Sequence, residues 1–190
     1  MTNVYFPFRL KKAIQASAYL IECENHQRMM TRLRLLKLLY IADRESLKET
    51  GYPITGDAVA AMDHGPVLSR IYNLIKGKAH SEEWSSFLHS DGYEVLLVAD
   101  PGLGQLSEYE TDKLCEISTR YKDMDEWDIV NDIVHFFPEW LKNEPPVHSS
   151  RPISLEDIIA GINRSEDKDE ILRGAAEETR LDLVLGLSIV

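Results

Sequence analysis

The 190-residue chain, 44% apolar and 8% aromatic, can bury a sizeable core as one domain or as one domain with an extension. No run of about 18 apolar residues occurs, which excludes a helix spanning a membrane. The formal charge of −11 is uneven, +4 over residues 1–50 and −15 over 51–190; so acidic a body disfavours nucleic acid as the main partner and steers a basic protein partner, when it is not simply a solvated surface.

The opening stretch, MTNVYFPFRLKKAIQ, lacks the three regions of a secretory signal. The first helix is predicted from about Pro7 to Glu24, with Leu10, Ala13, Ile14, Ser17, Ala18 and Ile21 on one face. A second runs from near Thr31 to Thr50. Leu33, Leu35, Leu36, Leu38, Leu39, Tyr40, Ile41 and Ala42 cover most of its circumference, which puts it at the centre of the core. Gly51 suits its C′ position, and Pro53 forbids continuation. Val59 to Met62 reads as a short buried strand, stopped by Asp63-His64-Gly65-Pro66. Pro66 fits the first position of a following helix, where an N–H would have no partner anyway. Val67, Leu68, Ile71, Tyr72, Leu74 and Ile75 form that helix's inner face, and Gly77 ends it. Asp91-Gly92 reads as a turn before a β-rich run, Tyr93 to Ala99, expected to pair with residues 58–62.

Ser107 with Glu110 forms a capping box that opens a helix to about Lys122. Asp125 caps the next, with Met124 and Ile129 as its staple. Val130, Ile133, Val134 and Phe137 follow at helical spacing, and Pro138 terminates it. Residues 143–152 read as a loop, and Ser154 with Asp157 caps a short helix to about Asn163, stapled by Ile153 and Ile158. Ser165 to Thr179 is charged and helix-prone. Leu181, Leu183, Leu185, Leu187 and Ile189 then alternate, and share one face if extended. Such a run is to be buried internally, in a homo-oligomer or against a partner. The whole pattern predicts an α+β fold, predominantly α-helical, with a helical core and a small antiparallel β-element.

Chemical motifs are sparse. His26, His64, His80, His89, His135 and His148 show no metal-ligand spacing. Cys23 and Cys115 read as reduced, buried thiols with no CxxC. There is no GxSxG elbow and no glycine-rich phosphate loop, so no catalytic residue, cofactor or metal is indicated. Arg28, Arg32, Arg34 and Lys37 form a basic cluster beside no aromatic platform. Asp43, on a mostly apolar helix, needs partners if buried. It can fix the Thr55-Gly56-Asp57 turn through backbone N–H groups, or accept a partner's Arg. His64 can tie a strand end to a helix start, or meet a ligand.

Four segments in order, Lys37-Leu-Leu-Tyr-Ile-Ala-Asp43-Arg44, Pro53-Ile-Thr-Gly56-Asp57, Ala61-Met-Asp-His64-Gly65-Pro66-Val67 and Ile71-Tyr72-Asn-Leu-Ile-Lys-Gly77, resemble the Panacea domain, also called the SocA-like antitoxin domain. Weaker echoes follow in the Ser107-capped helix, in His135-Phe-Phe-Pro138-Glu-Trp140 and in Ile153 to Ile162. The resemblance implies a Panacea-like domain over 1–164, with 165–190 as a C-terminal extension packed on the same domain or on a partner. It implies an antitoxin of a bacterial or prophage toxin–antitoxin system, cytoplasmic, that neutralises a cognate protein toxin by direct contact without chemistry of its own. The matching residues Tyr40, Asp43, Arg44, Gly56, Asp57, His64, Gly65, Pro66, Tyr72 and Gly77 are then structural or partner-facing. No separate DNA-binding domain is seen, so repression of its own operon is not expected. Two rivals stand beside this reading: an adaptor delivering a bound protein to a protease, and a hydrolase using His64, Asp43 and Asp57. A deep pocket joining those three groups would mark the hydrolase.

Overall fold

A computed structural model describes residues 4–24 and 28–186; His26, Leu187 and Ile189 lie outside that range. Leu10–Glu24 forms α1, Met29–Thr31 forms β1, and Arg32–Thr50 forms α2. Helix α1 starts later than its apolar pattern suggests, because the preceding backbone is committed elsewhere: Arg9 N–H donates to Thr55 O at 3.0 Å. Helix α2 is capped at both ends as the sequence requires. The Thr31 hydroxyl accepts from Arg34 N–H, and Gly51, in the left-handed region at φ 83°, donates to Leu47 O. Its leucines at 35, 36, 38 and 39, with Tyr40, Ile41 and Ala42, are all buried. The helix runs through the middle of one continuous core shared with α1 and with α5, Glu108–Arg120.

Val59–Met62 (β2) and Gly65–Leu68 (β3) form a hairpin whose two turn residues are Asp63 and His64. Pro66 therefore lies inside β3, opposite Ala61, and helix α3 begins only at Ser69 and runs to Ile75. The expectation of a helical Pro66 fails because β3 is an edge strand: the sheet order is β3-β2-β6, and an edge tolerates a missing N–H. Strand β6, Ser150–Ile153, lies in the stretch expected to be loop. It occupies the other side of β2, so the β-rich run after Asp91 has no place there. That run, β5 (Glu94–Leu97), pairs instead with β1 and with β4 (Leu88–Asp91) in a second antiparallel sheet of order β1-β5-β4. The short helix α4, Glu82–Ser85, precedes β4.

The Ser107–Glu110 capping box forms on α5, and Asp125 caps the short helix α6 (Glu126–Asp128), where Asp128 completes a second box. From there the chain widens into a π turn over Ile129–Ile133 and tightens into a 3-10 turn over Val134–Phe136. Pro138 both ends that stretch and opens α7, Pro138–Lys142, at its first turn. Leu155–Gly161 forms α8 behind the Ser154 cap.

The C-terminal region differs most from its pattern. Lys168–Val184 is one helix, α9, as expected as far as Thr179, and it continues through Leu181 and Leu183, where an extended run was expected. Its buried positions, Ile171, Ala175 and Asp182, share a helical face, and Arg9 Nη1 donates to Asp182 Oδ2 at 2.6 Å. That face decides the conformation, and it leaves Leu181, Leu183, Val184 and Leu185 exposed. The architecture is α+β and mostly α, as expected, with two small antiparallel sheets among the described residues. The cysteines depart from expectation: Cys115 is exposed and Cys23 half-buried. They face each other from α5 and α1, and burial followed by the neighbouring Cys115 pushes the Cys23 thiol up to about 11.

Candidate functional site

Tyr40, Asp43, Arg44, Asp57 and the backbone at Pro66 are drawn into three internal networks. In the first, Glu139 of α7 has a fully buried carboxylate. Its Oε1 accepts from Tyr40 Oη at 2.7 Å and from Arg44 Nε at 2.6 Å, while Arg44 Nη2 reaches Oε2 at 3.3 Å and Gly161 O at 3.0 Å. The guanidinium also lies 4.1 Å from the Phe137 ring centroid. One carboxylate thus joins α2 to α7 and, through Arg44, to α8. Glu139 is the residue that motif reading missed. Its signal was indirect: an Arg one turn after a Tyr on an otherwise apolar helix demands a buried acceptor.

The second network holds the turn after α2. Asp43 Oδ1 accepts from Ile54 N–H at 3.1 Å and Thr55 N–H at 3.0 Å, and Oδ2 accepts from the Thr55 hydroxyl. This is the structural role foreseen for Asp43. Gly56 follows at φ +69°, with so little room that a Cβ there would fall 2.2 Å from Pro7 O. Asp57 then reaches across to helix α3, whose own N-cap residue, Leu68, has no side-chain oxygen to offer. The Asp57 carboxylate accepts from Arg70 N–H and Ile71 N–H at 2.9 and 3.0 Å, capping α3 from a distance. Burial pushes Asp43 up to about 7 and Asp57 up to about 6, against the donors that pull both down.

The third network fixes the hairpin tip. Lys37, fully buried, donates from Nζ to Pro66 O at 2.9 Å, and burial lowers its pKa to about 7. Gly65, at φ +93°, passes so close to α7's approach segment that a Cβ would meet Val134 Cγ2 at 2.6 Å. Trp140 Nε1 donates to Met62 O at 3.0 Å, and His135, stacked on Trp140, lies 3.2 Å from Asp63 O. His64 takes no part in these bonds. It is exposed at the tip, edge-on to the Trp127 ring with centroids 5.0 Å apart. Gly77 sits in the left-handed region just past α3, and Tyr72 is half-buried on that helix.

Two cavities adjoin these networks. The first, about 30 Å³, is lined by Tyr40, Asp43, Arg44, Gly56 and Asp57, and has room for roughly one water. The second is an open cleft of about 930 Å³ lined by His64, Lys37 and Tyr72. His64 therefore faces one cavity and the two aspartates another, and the three groups of the hydrolase reading are not brought together. Among the described residues no three His, Cys, Asp or Glu side chains are placed to hold a metal ion.

The basic cluster of residues 28–37 also dissolves on folding. Arg34 is buried against Glu24, Met124 O and Tyr121 O, and Lys37 lies beneath the cleft. Only Arg32 and Arg28 remain near the surface. Arg32 does have an aromatic platform, Tyr93, which lies too far along the chain for local spacing to reveal.

Helix α2, the β2–β3 hairpin and α7 thus define a mostly helical domain in which motif polarity is spent on holding elements together. The family model of the antitoxin SocA-like Panacea domain matches residues 35–141, and the chain belongs to that family. No curated protein and no solved structure matches the chain. Among the described residues, no helix is long and apolar enough to cross a membrane.

Proposed function

We propose that this protein is the antitoxin of a bacterial or prophage toxin–antitoxin system, and that it neutralises a cognate toxin in the cytoplasm by covering it. The observation that carries the reading is the use of the motif residues. Tyr40, Asp43, Arg44 and Asp57 are committed to bonds within the domain, so the family block acts as scaffold for a surface. The partner face is acidic. From α5 to the π turn, Asp112, Glu116, Asp123, Asp128 and Asp132 are all exposed, which steers a basic toxin towards that side. The exposed Leu181, Leu183, Val184 and Leu185 at the end of α9 supply an apolar contact for the toxin or for a second copy of the chain.

The test is co-expression with an open reading frame that adjoins this gene. The reading expects growth arrest by that frame alone, relief by this chain, and recovery of both proteins as one complex. Relief without a complex refutes direct neutralisation. Truncation after Asn163 removes α9, and unchanged neutralisation and mass would show that the tail has no part in it.

A further inference from the structure

The open cleft differs from the body around it. Six separate stretches of chain converge on it, from Thr31 at the start of α2 to Ser150 at the start of β6. Four basic side chains line it, the cations Arg32, Lys76 and Lys78 and, beneath them, the buried Lys37, against two carboxylates, Asp63 and Glu126. Asp63 is already engaged by His148 N–H at 2.8 Å. Elsewhere on this acidic protein many cations are paired, Arg9, Arg34, Arg44, Lys113, Arg120 and Lys142 each meeting a carboxylate, while the exposed Lys48, Lys122, Arg151, Arg173 and Arg180 meet none among the described residues. Among the described residues, none of the four basic side chains of the cleft meets one.

Each of the four is held in another way, or left open. Arg32 lies 4.5 Å from the Tyr93 ring centroid and donates to Gly92 O. Lys78 lies 5.2 Å from that of Tyr72. Lys37, at the floor, donates from Nζ to Pro66 O. Beside these charges stand exposed aromatic side chains, Tyr93 at 75% and Trp127 at 48% exposure, Tyr93 with Arg32 over one face of its ring. His64 packs T-shaped against the indole.

We propose that this cleft binds a small phosphorylated ring compound of the mononucleotide class, its phosphate on Lys76, Lys78 and Arg32 and its ring on Trp127 or Tyr93. The volume lies within the roughly 300–1,000 Å³ of small-molecule sites. Convergence of distant segments on a concavity suits a molecule that enters the fold better than one that lies across it. Without a glycine-rich loop, phosphate is met by ammonium and guanidinium groups as point charges and forks, not by backbone N–H groups. Stacking on an exposed ring contributes about 1–3 kcal/mol per base and tolerates different bases, so the site discriminates weakly among them. This inference stands on the cleft alone and does not depend on the toxin-binding reading.

Isothermal titration of the full chain with ATP, GTP and AMP tests it, with adenosine, ribose 5-phosphate and pyrophosphate as fragments. The expected result is saturable one-to-one binding of at least one nucleotide, about tenfold or more tighter than any fragment. Trp127→Ala and Lys78→Glu should each weaken it about tenfold while leaving the ligand-free thermal midpoint in place, since both side chains are solvent-exposed. Absence of saturable binding by any nucleotide overturns the proposal. So does pyrophosphate binding as tightly as the nucleotides, which would reveal an anion patch only. Indifference to both substitutions, or a short single-stranded RNA binding more tightly than every mononucleotide, overturns it equally.

Discussion

Replacing Glu139 with Leu removes the acceptor shared by Tyr40 and Arg44 without greatly changing side-chain volume. The Arg44 side chain is only 13% exposed and the Glu139 carboxylate not at all, so the variant strands a cation that water reaches poorly. Breaking one side of such a buried pair costs roughly 3–5 kcal/mol, and the orphaned Tyr40 hydroxyl adds to it. For a chain of this size each kcal/mol moves the thermal midpoint by about 2–4 °C, so a fall of about 6–20 °C is expected. Arg44→Leu alone, leaving a buried carboxylate with Tyr40 as its remaining side-chain donor, should cost a similar amount. Combining both with Tyr40→Phe removes every side-chain orphan together, leaving only the half-buried Gly161 O without Arg44, and the triple variant should lie within about 2 kcal/mol of the parent. Urea unfolding followed by circular dichroism measures each. A loss below about 1 kcal/mol for Glu139→Leu, or single-variant losses that add in the triple variant, would refute this account of the network.

Asp57→Ala should expose the first turn of α3 and destabilise the fold by about 1–3 kcal/mol, with the Arg70 and Ile71 amides losing protection in hydrogen exchange. Asp43 and Asp57 have raised pKa values in the folded state, about 7 and about 6, so the folded chain binds more protons there and stability falls as pH rises from about 4 to 7. Lys37, lowered to about 7, works in the opposite sense: stability is regained from pH 7 up to about 10. Denaturation across this range should show a minimum near neutrality, with Asp43→Asn flattening the acid limb and Lys37→Met the alkaline limb. Alkylation with iodoacetamide followed by mass mapping should modify exposed Cys115 well before Cys23, whose thiol is pushed up to about 11.

Local chemistry was legible where neighbours in sequence are also neighbours in space. The Thr31 and Gly51 ends of α2, the Ser107 and Asp125 capping boxes, and the strand at Val59–Met62 all depend on residues a few positions apart. The Asp43 bond to the 54–55 backbone, 11 and 12 residues on, was readable because Gly51 and Pro53 turn the chain back beside the end of α2. Strand pairing was not. That β2 is flanked by β3 and β6, leaving β5 to pair with β1, depends on contacts about ninety residues apart, and nothing in the Tyr93–Ala99 pattern encodes its partner. Leu181 and Leu183 begin an alternation like that of a strand, yet Ile171, Ala175 and the Arg9–Asp182 pair keep the chain helical as far as Val184. Glu139 and the cleft rings Tyr93 and Trp127 were hidden similarly, each taking its meaning from side chains supplied by other elements.

Titrating a fixed amount of the cognate toxin's activity with this protein tests most directly whether it acts by covering a molecule or by transforming one. A binder removes activity linearly, reaches completion at one fixed molar ratio, and gives the same curve however long the mixture stands. Inactivation of a molar excess of toxin, deepening with time, would contradict the account.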